Sequence, residues 1–191
     1  MKFWNNILLI GSGDRNVGKT ELATIMINRY KSQFKTIGIK VTPIRHEHLG
    51  CPRGSDACGV CFDFEGDFEI ITEQGELPGK DTTRMIEAGA DQVYWLKCRI
   101  EHLKAGFEAL AERLEPEACI ICESNSIRQE VTPGFFIVLK SKDQNKIRPS
   151  CRKFMENADH IGLFDGSGWD FSPDSIVFED HRWKWEKKVD R

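Results

Sequence analysis

Residues 13 to 20 follow the spacing G-x-x-x-x-G-K-T, which suits the binding of phosphate groups. The backbone N–H groups of such a loop surround phosphate oxygens, the lysine reaches the terminal phosphates, and the final hydroxyl coordinates Mg²⁺. The two glycines permit the positive φ angles and close backbone approach that the loop requires. We therefore expect phosphates of ATP or GTP, with Mg²⁺, at residues Gly13, Asp14, Arg15, Asn16, Val17, Gly18, Lys19 and Thr20.

Two charged residues inside this loop bear on mechanism. In dimeric nucleotide switches a second lysine follows the first glycine, but here Asp14 occupies that position, which disfavours such a mechanism. Arg15 is either a charge near the terminal phosphate or an exposed loop arginine.

A carboxylate suited to the metal follows a second apolar run. Residues 118 to 122 read as a buried strand, and Glu123 comes directly after it, as a Walker B carboxylate does. The alternative is a surface glutamate in a loop. We expect Lys19, Thr20 and Glu123 to carry any catalysis. The N/T-K-x-D pattern that reads guanine is absent, so ATP and GTP both remain open.

The flanking elements are those of a β-α-β unit. The run from Ile7 to Ile10 is typical of a strand buried on both faces, and apolar residues at helical spacing predict a helix from the loop to about Phe34. A second strand is predicted over 36–42, stopped by Pro43.

The rest of the chain alternates in the same way. We predict a helix over 100–114, ended by Pro116, and strands over 93–96, 118–122, 135–139, 161–164 and 175–179. This pattern indicates an α/β fold with a doubly wound, mostly parallel sheet, the three-layer α/β/α fold of phosphate-loop NTPases. We expect a single domain over 1–191, with a Cys/His-rich insertion at about 44–62 and a C-terminal segment at about 167–191 packed on the domain edge.

The composition excludes some partners. With 27 basic and 30 acidic residues the net charge is −3, so no overall field attracts nucleic acid or an anionic membrane. No apolar stretch has membrane-spanning length, and no signal-peptide core is present. We expect a cytoplasmic protein.

The chain has seven cysteines, an odd number that disfavours a disulfide framework. Three of them, with two histidines, fall within sixteen residues, a density that suggests either a zinc site or an iron–sulfur cluster. The alternatives are small apolar side chains in a loop, or a lid for an anionic substrate that uses Arg45 and Arg53. The candidate metal ligands are His48, Cys51, Cys58 and Cys61, with His46 nearby. Cys98, Cys119, Cys122 and Cys151 are assigned to packing.

Three segments together carry a resemblance: the loop G-D-R-N-V-G-K-T, the run from Pro78 to Val93 with K-D-T-T-R and E-A-G-A-D, and Cys122-Glu123 after a strand. Over about residues 5–140 the chain resembles the molybdopterin-guanine dinucleotide biosynthesis protein B family. It departs from that family in having Glu123-Ser124-Asn125 where E-G follows the strand, and in the cysteine insertion.

The resemblance implies a slow NTPase or nucleotide-binding adaptor in molybdenum cofactor biosynthesis, working as a homodimer with a molybdopterin-type cofactor and its biosynthetic enzymes. It assigns Asp81 and Arg84 to the nucleotide or pterin side of the site and Glu123 to Mg²⁺. From the residues alone, Asp81 is expected to cap a helix, where it could also reach Mg²⁺ through water.

Two further functions stay open. A small-molecule kinase or ATP-dependent ligase of the dethiobiotin synthetase type would need an acceptor pocket, for which Lys40 at the end of the second strand is the best support, unless it is a solvent-exposed lysine. A metallochaperone would hold metal at Cys51, Cys58 and Cys61 and release it according to nucleotide state.

Overall fold

The computed structural model describes residues 2–44, 64–76, 78–143 and 155–186. Three α-helices lie between strands in the first part of the chain, and five strands follow the last of these helices. In chain order they are β1 (Lys2–Ser12), α1 (Lys19–Tyr30), β2 (Thr36–Ile44), β3 (Phe68–Thr72), α2 (Asp81–Glu87), β4 (Gln92–Arg99), α3 (Leu103–Ala111), β5 (Cys119–Glu123), β6 (Val131–Ser141), β7 (His160–Phe164), β8 (Ile176–Glu179) and β9 (Arg182–Trp185). Within the described ranges, no helix has the length and apolar character needed to cross a membrane.

Seven strands form one sheet in the order β3-β4-β2-β5-β1-β6-β7. Every neighbouring pair is parallel except β3–β4, which is antiparallel. The predicted α/β fold with a mostly parallel sheet is therefore confirmed. Because parallel strands end at the same edge, the sheet brings the residues after β1, β5 and β2 together.

Strand β1 lies between β5 and β6 inside the sheet, and its apolar run is buried on both faces as predicted. Ile7 and Leu9 pack in the core with α3, while Leu8 and Ile10 pack in the core with α1. All four side chains have no exposed surface. Alternate side chains of β1 thus pack against helices on opposite faces of the sheet.

Strands β8 and β9 form a separate antiparallel hairpin. The hairpin packs over the α1 face of the sheet, where Trp183 is 1% exposed and its indole N–H donates to the carbonyl of Asn6 at 3.0 Å. The hydroxyl of Tyr30, at the end of α1, accepts a hydrogen bond from the N–H of Phe178 at 2.9 Å. These contacts link the hairpin to both β1 and α1.

Three predicted boundaries were wrong. Strand β2 continues through Pro43 to Ile44, since its pairing with β5 ends at Lys40 and a strand with one neighbour tolerates proline. Helix α1 ends at Tyr30, four residues early, and is followed by a turn. The helix expected over 100–114 begins with a 3₁₀ turn and is α-helical only over Leu103–Ala111.

Candidate functional site

The Gly13–Gly18 loop connects the end of β1 to the start of α1. Gly18 is the N-cap of the helix and has a φ of +82°, a left-handed conformation that favours glycine. The second positive φ, +55°, falls on Asn16. The expectation that Gly13 also needs a positive φ was wrong: in this loop the two left-handed positions are Asn16 and Gly18.

The ends of β5 and β6 hold this loop in place. The side chain of Asn125 accepts a hydrogen bond from the N–H of Ser12 at 2.7 Å and donates one to the Ser12 carbonyl at 3.0 Å. Gly13 donates its N–H to the carbonyl of Leu139 at 2.8 Å. The carboxylate of Asp14 accepts from the N–H of Ser141 at 3.0 Å. The loop is therefore fixed by two neighbouring strands before any ligand binds.

A tryptophan from the C-terminal segment lies against the loop. The indole N–H of Trp169 donates to the carbonyl of Val17 at 3.1 Å, and a Cβ added to Gly18 would lie 2.6 Å from the Trp169 ring. The glycine is thus required for space as well as for its backbone conformation. This contact connects the loop to the chain segment that precedes the hairpin.

Polar side chains from four elements meet next to the loop. The hydroxyl of Thr20, in the first turn of α1, lies 2.9 Å from the Glu123 carboxylate and 3.0 Å from the Asp81 carboxylate. The ammonium of Lys40 lies 2.5 Å from Glu123 and 2.7 Å from Asp81. Lys19 donates to the hydroxyl of Ser12 at 2.8 Å and lies 4.0 Å from Glu123. We call Lys19, Thr20, Lys40, Asp81 and Glu123 the polar cluster.

The register of the sheet explains why these residues meet. Glu123 on β5 is paired with Ile10 on β1 and with Lys40 on β2, and Lys40 is paired with Trp95 on β4. Residues paired across parallel strands point to the same face, so these four side chains form one row on the α1 side of the sheet. Asp81, the first residue of α2, reaches this row through its contacts with Lys40 and Thr20.

Burial and opposite charge act in opposite directions on the ionisable groups of the cluster. Burial disfavours charge on Lys40 and by itself would lower its pKa, but Glu123 and Asp81 outweigh this, so the pKa of Lys40 lies above its ordinary value. For Asp81 burial would raise the pKa, yet Lys40, Thr20 and Lys19 together lower it. Both groups are therefore held in their charged forms.

The oxygen atoms of the cluster suit a magnesium ion. Mg²⁺ prefers hard oxygen ligands and is commonly held by one or two carboxylates with water and substrate phosphates. Thr20 has a single hydroxyl proton, which can satisfy only one of the two carboxylates that lie within 3.0 Å of it. A cation bound by these three side chains would satisfy both. Among the described residues there is no group of three or more His, Cys, Asp and Glu side chains arranged to hold a metal.

The structure corrects the expectation for Asp81 and decides between the two environments that were open for Lys40. Asp81 is not the helix cap, because it is the first residue of α2 and its side chain is bonded to Thr20 and Lys40 instead. Lys40 is not in solvent, since its side chain is 13% exposed.

The remaining predicted site residues are exposed side chains or lie outside the described ranges. Arg84 is exposed on α2, and Arg15 is exposed in the loop. The candidate soft-metal ligands His48, Cys51, Cys58 and Cys61 lie outside the described residues, as does Cys151.

The packing role predicted for three cysteines is confirmed, since Cys98, Cys119 and Cys122 are free thiols without exposed surface. Cys119 and Cys122 lie in the cores on opposite faces of the sheet, as their spacing in a strand predicted.

Two residues near the site, Lys40 and Ser12, carried weak signals in the sequence, and a third, Trp169, carried none. Lys40 is a charged residue inside an otherwise apolar strand, which could have indicated a buried partner. Ser12 immediately precedes the loop and could have been included with it. Trp169 offered no local signal, because its contact with Val17 spans 152 positions.

No protein-family model matches this chain, and no curated protein matches it significantly. Its function is therefore inferred from the residues described above.

Proposed function

We propose that this chain binds ATP or GTP together with Mg²⁺ and hydrolyses the nucleotide slowly, as a member of the phosphate-loop NTPase class. The observation that carries the proposal is the convergence of two carboxylates on one hydroxyl, directly beside a G-x-x-x-x-G-K-T loop: Asp81 lies 3.0 Å and Glu123 lies 2.9 Å from the Thr20 oxygen. A phosphate site and a set of hard oxygen ligands side by side are what a nucleotide–magnesium complex needs.

The phosphates would be bound by the Gly13–Gly18 loop and the N-terminus of α1. The strands already hold the loop in shape, so little ordering is required on binding. Lys19 is the first residue of α1 and is 22% exposed at its side chain, so its ammonium can reach an anion in the loop. Its positive charge would stabilise the negative charge that builds up during phosphoryl transfer.

Thr20, Asp81 and Glu123 would hold Mg²⁺ directly or through water. When bound, the ion would neutralise charge on the phosphate oxygens. Lys40 neutralises the same two carboxylates, so the ammonium and Mg²⁺ are alternative partners of one set of oxygens. With water as acceptor and no side chain assigned as a strong base, we expect turnover to be slow.

The biological setting is proposed from the resemblance to the molybdopterin-guanine dinucleotide biosynthesis protein B family. The K-D-T-T-R segment that carries part of the resemblance contains Asp81, and Asp81 is a member of the polar cluster. From the resemblance we propose an adaptor that couples nucleotide binding to a molybdopterin-type cofactor and works as a homodimer.

One observation favours a small-molecule kinase or ATP-dependent ligase as a second candidate. Lys40 belongs to the polar cluster and could contact a phosphoryl group on its way to an acceptor. Hydrolysis that is unaffected by every added acceptor would argue for the NTPase instead. The nucleotide-gated metallochaperone stays a prediction, since its metal ligands lie outside the described residues.

Equilibrium binding of Mg·ATP and Mg·GTP to wild type, Lys19→Ala and Lys104→Ala tests the proposal. Loss of a charged contact to phosphate should cost about 2–3 kcal/mol, a weakening of about 30- to 150-fold for Lys19→Ala. Lys104 is an exposed lysine on α3, across the sheet from the loop, and serves as the matched control. The proposal is refuted if wild type binds neither nucleotide, or if Lys19→Ala binds as tightly as Lys104→Ala.

A further inference from the structure

Trp95 lies beside the polar cluster and has two lysines over its ring. It is paired with Lys40 across β2 and β4, in the same row of side chains. The ammonium of Lys97 lies 4.5 Å from the ring centroid and that of Lys80 lies 5.2 Å from it. Both distances are within the range of cation–π attraction.

The ring is held in a defined position. Its indole N–H donates to the hydroxyl of Thr42 at 3.0 Å, and Thr42 is two residues beyond Lys40 on the same strand. Trp95 is half-buried, so part of it stays accessible to solvent. A fixed aromatic ring needs little ordering when a flat molecule packs against it.

Two lysines and two carboxylates lie around the ring. Lys80 directly precedes Asp81 of the polar cluster, and Lys97 forms an ion pair with Glu69 at 3.2 Å. The Lys97 side chain is 17% exposed and that of Glu69 is 47% exposed, so the pair is partly open to solvent and an incoming anion can compete with Glu69 for the ammonium. Two ammonium groups beside an aromatic ring form a suitable site for a planar anion.

We propose that Trp95, Thr42, Lys80 and Lys97 form a second ligand site for a small planar aromatic molecule carrying a carboxylate or phosphate group. The site rests on the proposed function in one respect: it adjoins the polar cluster through Lys40 and Asp81, and so lies next to the terminal phosphate of a nucleotide bound by the loop. A ligand held there would be the acceptor or cargo on which nucleotide turnover acts.

Fluorescence titration with 2-naphthoate tests this site, with Mg²⁺ and a non-hydrolysable ATP analogue at saturation so that the Gly13–Gly18 loop is filled. Two comparison ligands separate the contributions: 2-naphthol is planar but neutral, and cyclohexanecarboxylate is anionic but not planar. We expect 2-naphthoate to bind about tenfold more tightly than either, because only it uses both the ring and the lysines.

The variants Trp95→Leu and Lys97→Gln should each weaken 2-naphthoate binding about tenfold, and Lys104→Gln should leave it unchanged. Equal binding by all four proteins, or equal affinity for naphthoate and naphthol, would overturn the inference. Circular dichroism and nucleotide affinity in the same preparations identify a variant that has failed to fold.

A parallel titration without nucleotide separates this inference from the proposed function. If wild type binds no nucleotide but retains a Trp95-dependent preference for 2-naphthoate, the second site stands and the nucleotide proposal fails. If wild type binds nucleotide but not 2-naphthoate, the nucleotide proposal stands and the second site fails.

Discussion

The ammonium of Lys40 lies 2.5 Å from the carboxylate of Glu123, and the two residues are paired across neighbouring parallel strands. Their side chains are 13% and 3% exposed. A charged pair with so little contact with water is costly to break, because the remaining charge has no compensation. Because the proposed function assigns the same carboxylate to Mg²⁺, a change in this pair should affect both the stability of the fold and the binding of the ion.

Replacement of Lys40 by Met should destabilise the protein, since Glu123 and Asp81 would be left close together without their common cation. We expect a loss of about 3–5 kcal/mol in the free energy of unfolding, measured by urea denaturation without Mg²⁺. Added Mg²⁺ should stabilise Lys40→Met more than wild type, because the ion then competes with no ammonium for the carboxylates.

Lys104→Met provides the control for this effect. Lys104 and Glu108 are 72% and 67% exposed and lie 4.0 Å apart, so the change should cost less than about 0.5 kcal/mol and should add no dependence on Mg²⁺. An equal stabilisation of wild type and Lys40→Met by Mg²⁺ would contradict the assignment of the carboxylates to the metal.

Alanine substitutions at three glycines should distinguish the cost of a positive φ from the cost of a steric clash. Gly168 has neither a positive φ nor an atom within 4 Å of an added Cβ, while Gly166 has a φ of +99° and open space. Gly18 has a φ of +82° and only 2.6 Å to the Trp169 ring. Alanine at each position should therefore produce three different losses of stability.

We expect Gly168→Ala to lie within about 1 kcal/mol of wild type and to be slightly stabilising, because alanine restricts the unfolded chain. Gly166→Ala should cost about 1–2 kcal/mol from its φ alone. Gly18→Ala should cost a further 1–3 kcal/mol or so, since the methyl group displaces Trp169. Urea denaturation without nucleotide gives the order, and equal losses at Gly18 and Gly166 would show that the Trp169 contact is not tight.

The shifted pKa values of Asp81 and Lys40 predict how the free energy of unfolding depends on pH. Its pKa in the folded protein is lowered, so its contribution is complete above about pH 4 and is lost as the pH falls through the folded value. The pKa of Lys40 is raised, so its contribution is complete up to about pH 10 and is lost as the pH rises through the folded value.

The difference in unfolding free energy between wild type and Asp81→Asn should therefore be constant from pH 5 to 9 or so and should shrink below about pH 4. Urea titrations of both proteins at several pH values measure this difference directly, since carboxylates elsewhere contribute equally to both. A difference that does not change on acidification would show that Asp81 is not held by Lys40.

The strands were predictable where local pattern determines them. The run from Ile7 to Ile10 is typical of a strand buried on both faces, and a Glu after an apolar run was expected at the end of β5. Strand β3 was missed because it lies at the edge of the sheet, where its side chains are largely exposed and its apolar signal is weak. The formation of an edge strand depends more on pairing with the neighbouring strand than on the residue pattern of the edge strand itself.

The composition of the polar cluster was only partly predictable for a related reason. Lys19 and Thr20 are adjacent in a recognisable motif, whereas the position of Lys40 beside Glu123 depends on β5 lying between β1 and β2. Strand order arises from the packing of the whole chain, and no short segment encodes it. The lysine pair over Trp95 likewise joins α2 and β4 only after folding.

Trp169 should report on the Gly13–Gly18 loop through its fluorescence. Its indole N–H is bonded to the carbonyl of Val17, a peptide group of the loop, so an anion bound there should alter the environment of the ring. Mg·ATP or Mg·GTP should change the emission of wild type, and Trp169→Phe should lose most of that change. Trp4→Phe is the matched control, because Trp4 packs against Phe107 on the opposite face of the sheet.

Loss of the hydrogen bond from the Trp169 indole in Trp169→Phe should also weaken nucleotide binding by about three- to tenfold. If Trp169→Phe keeps the full signal while Trp4→Phe loses it, Trp169 is not coupled to the loop.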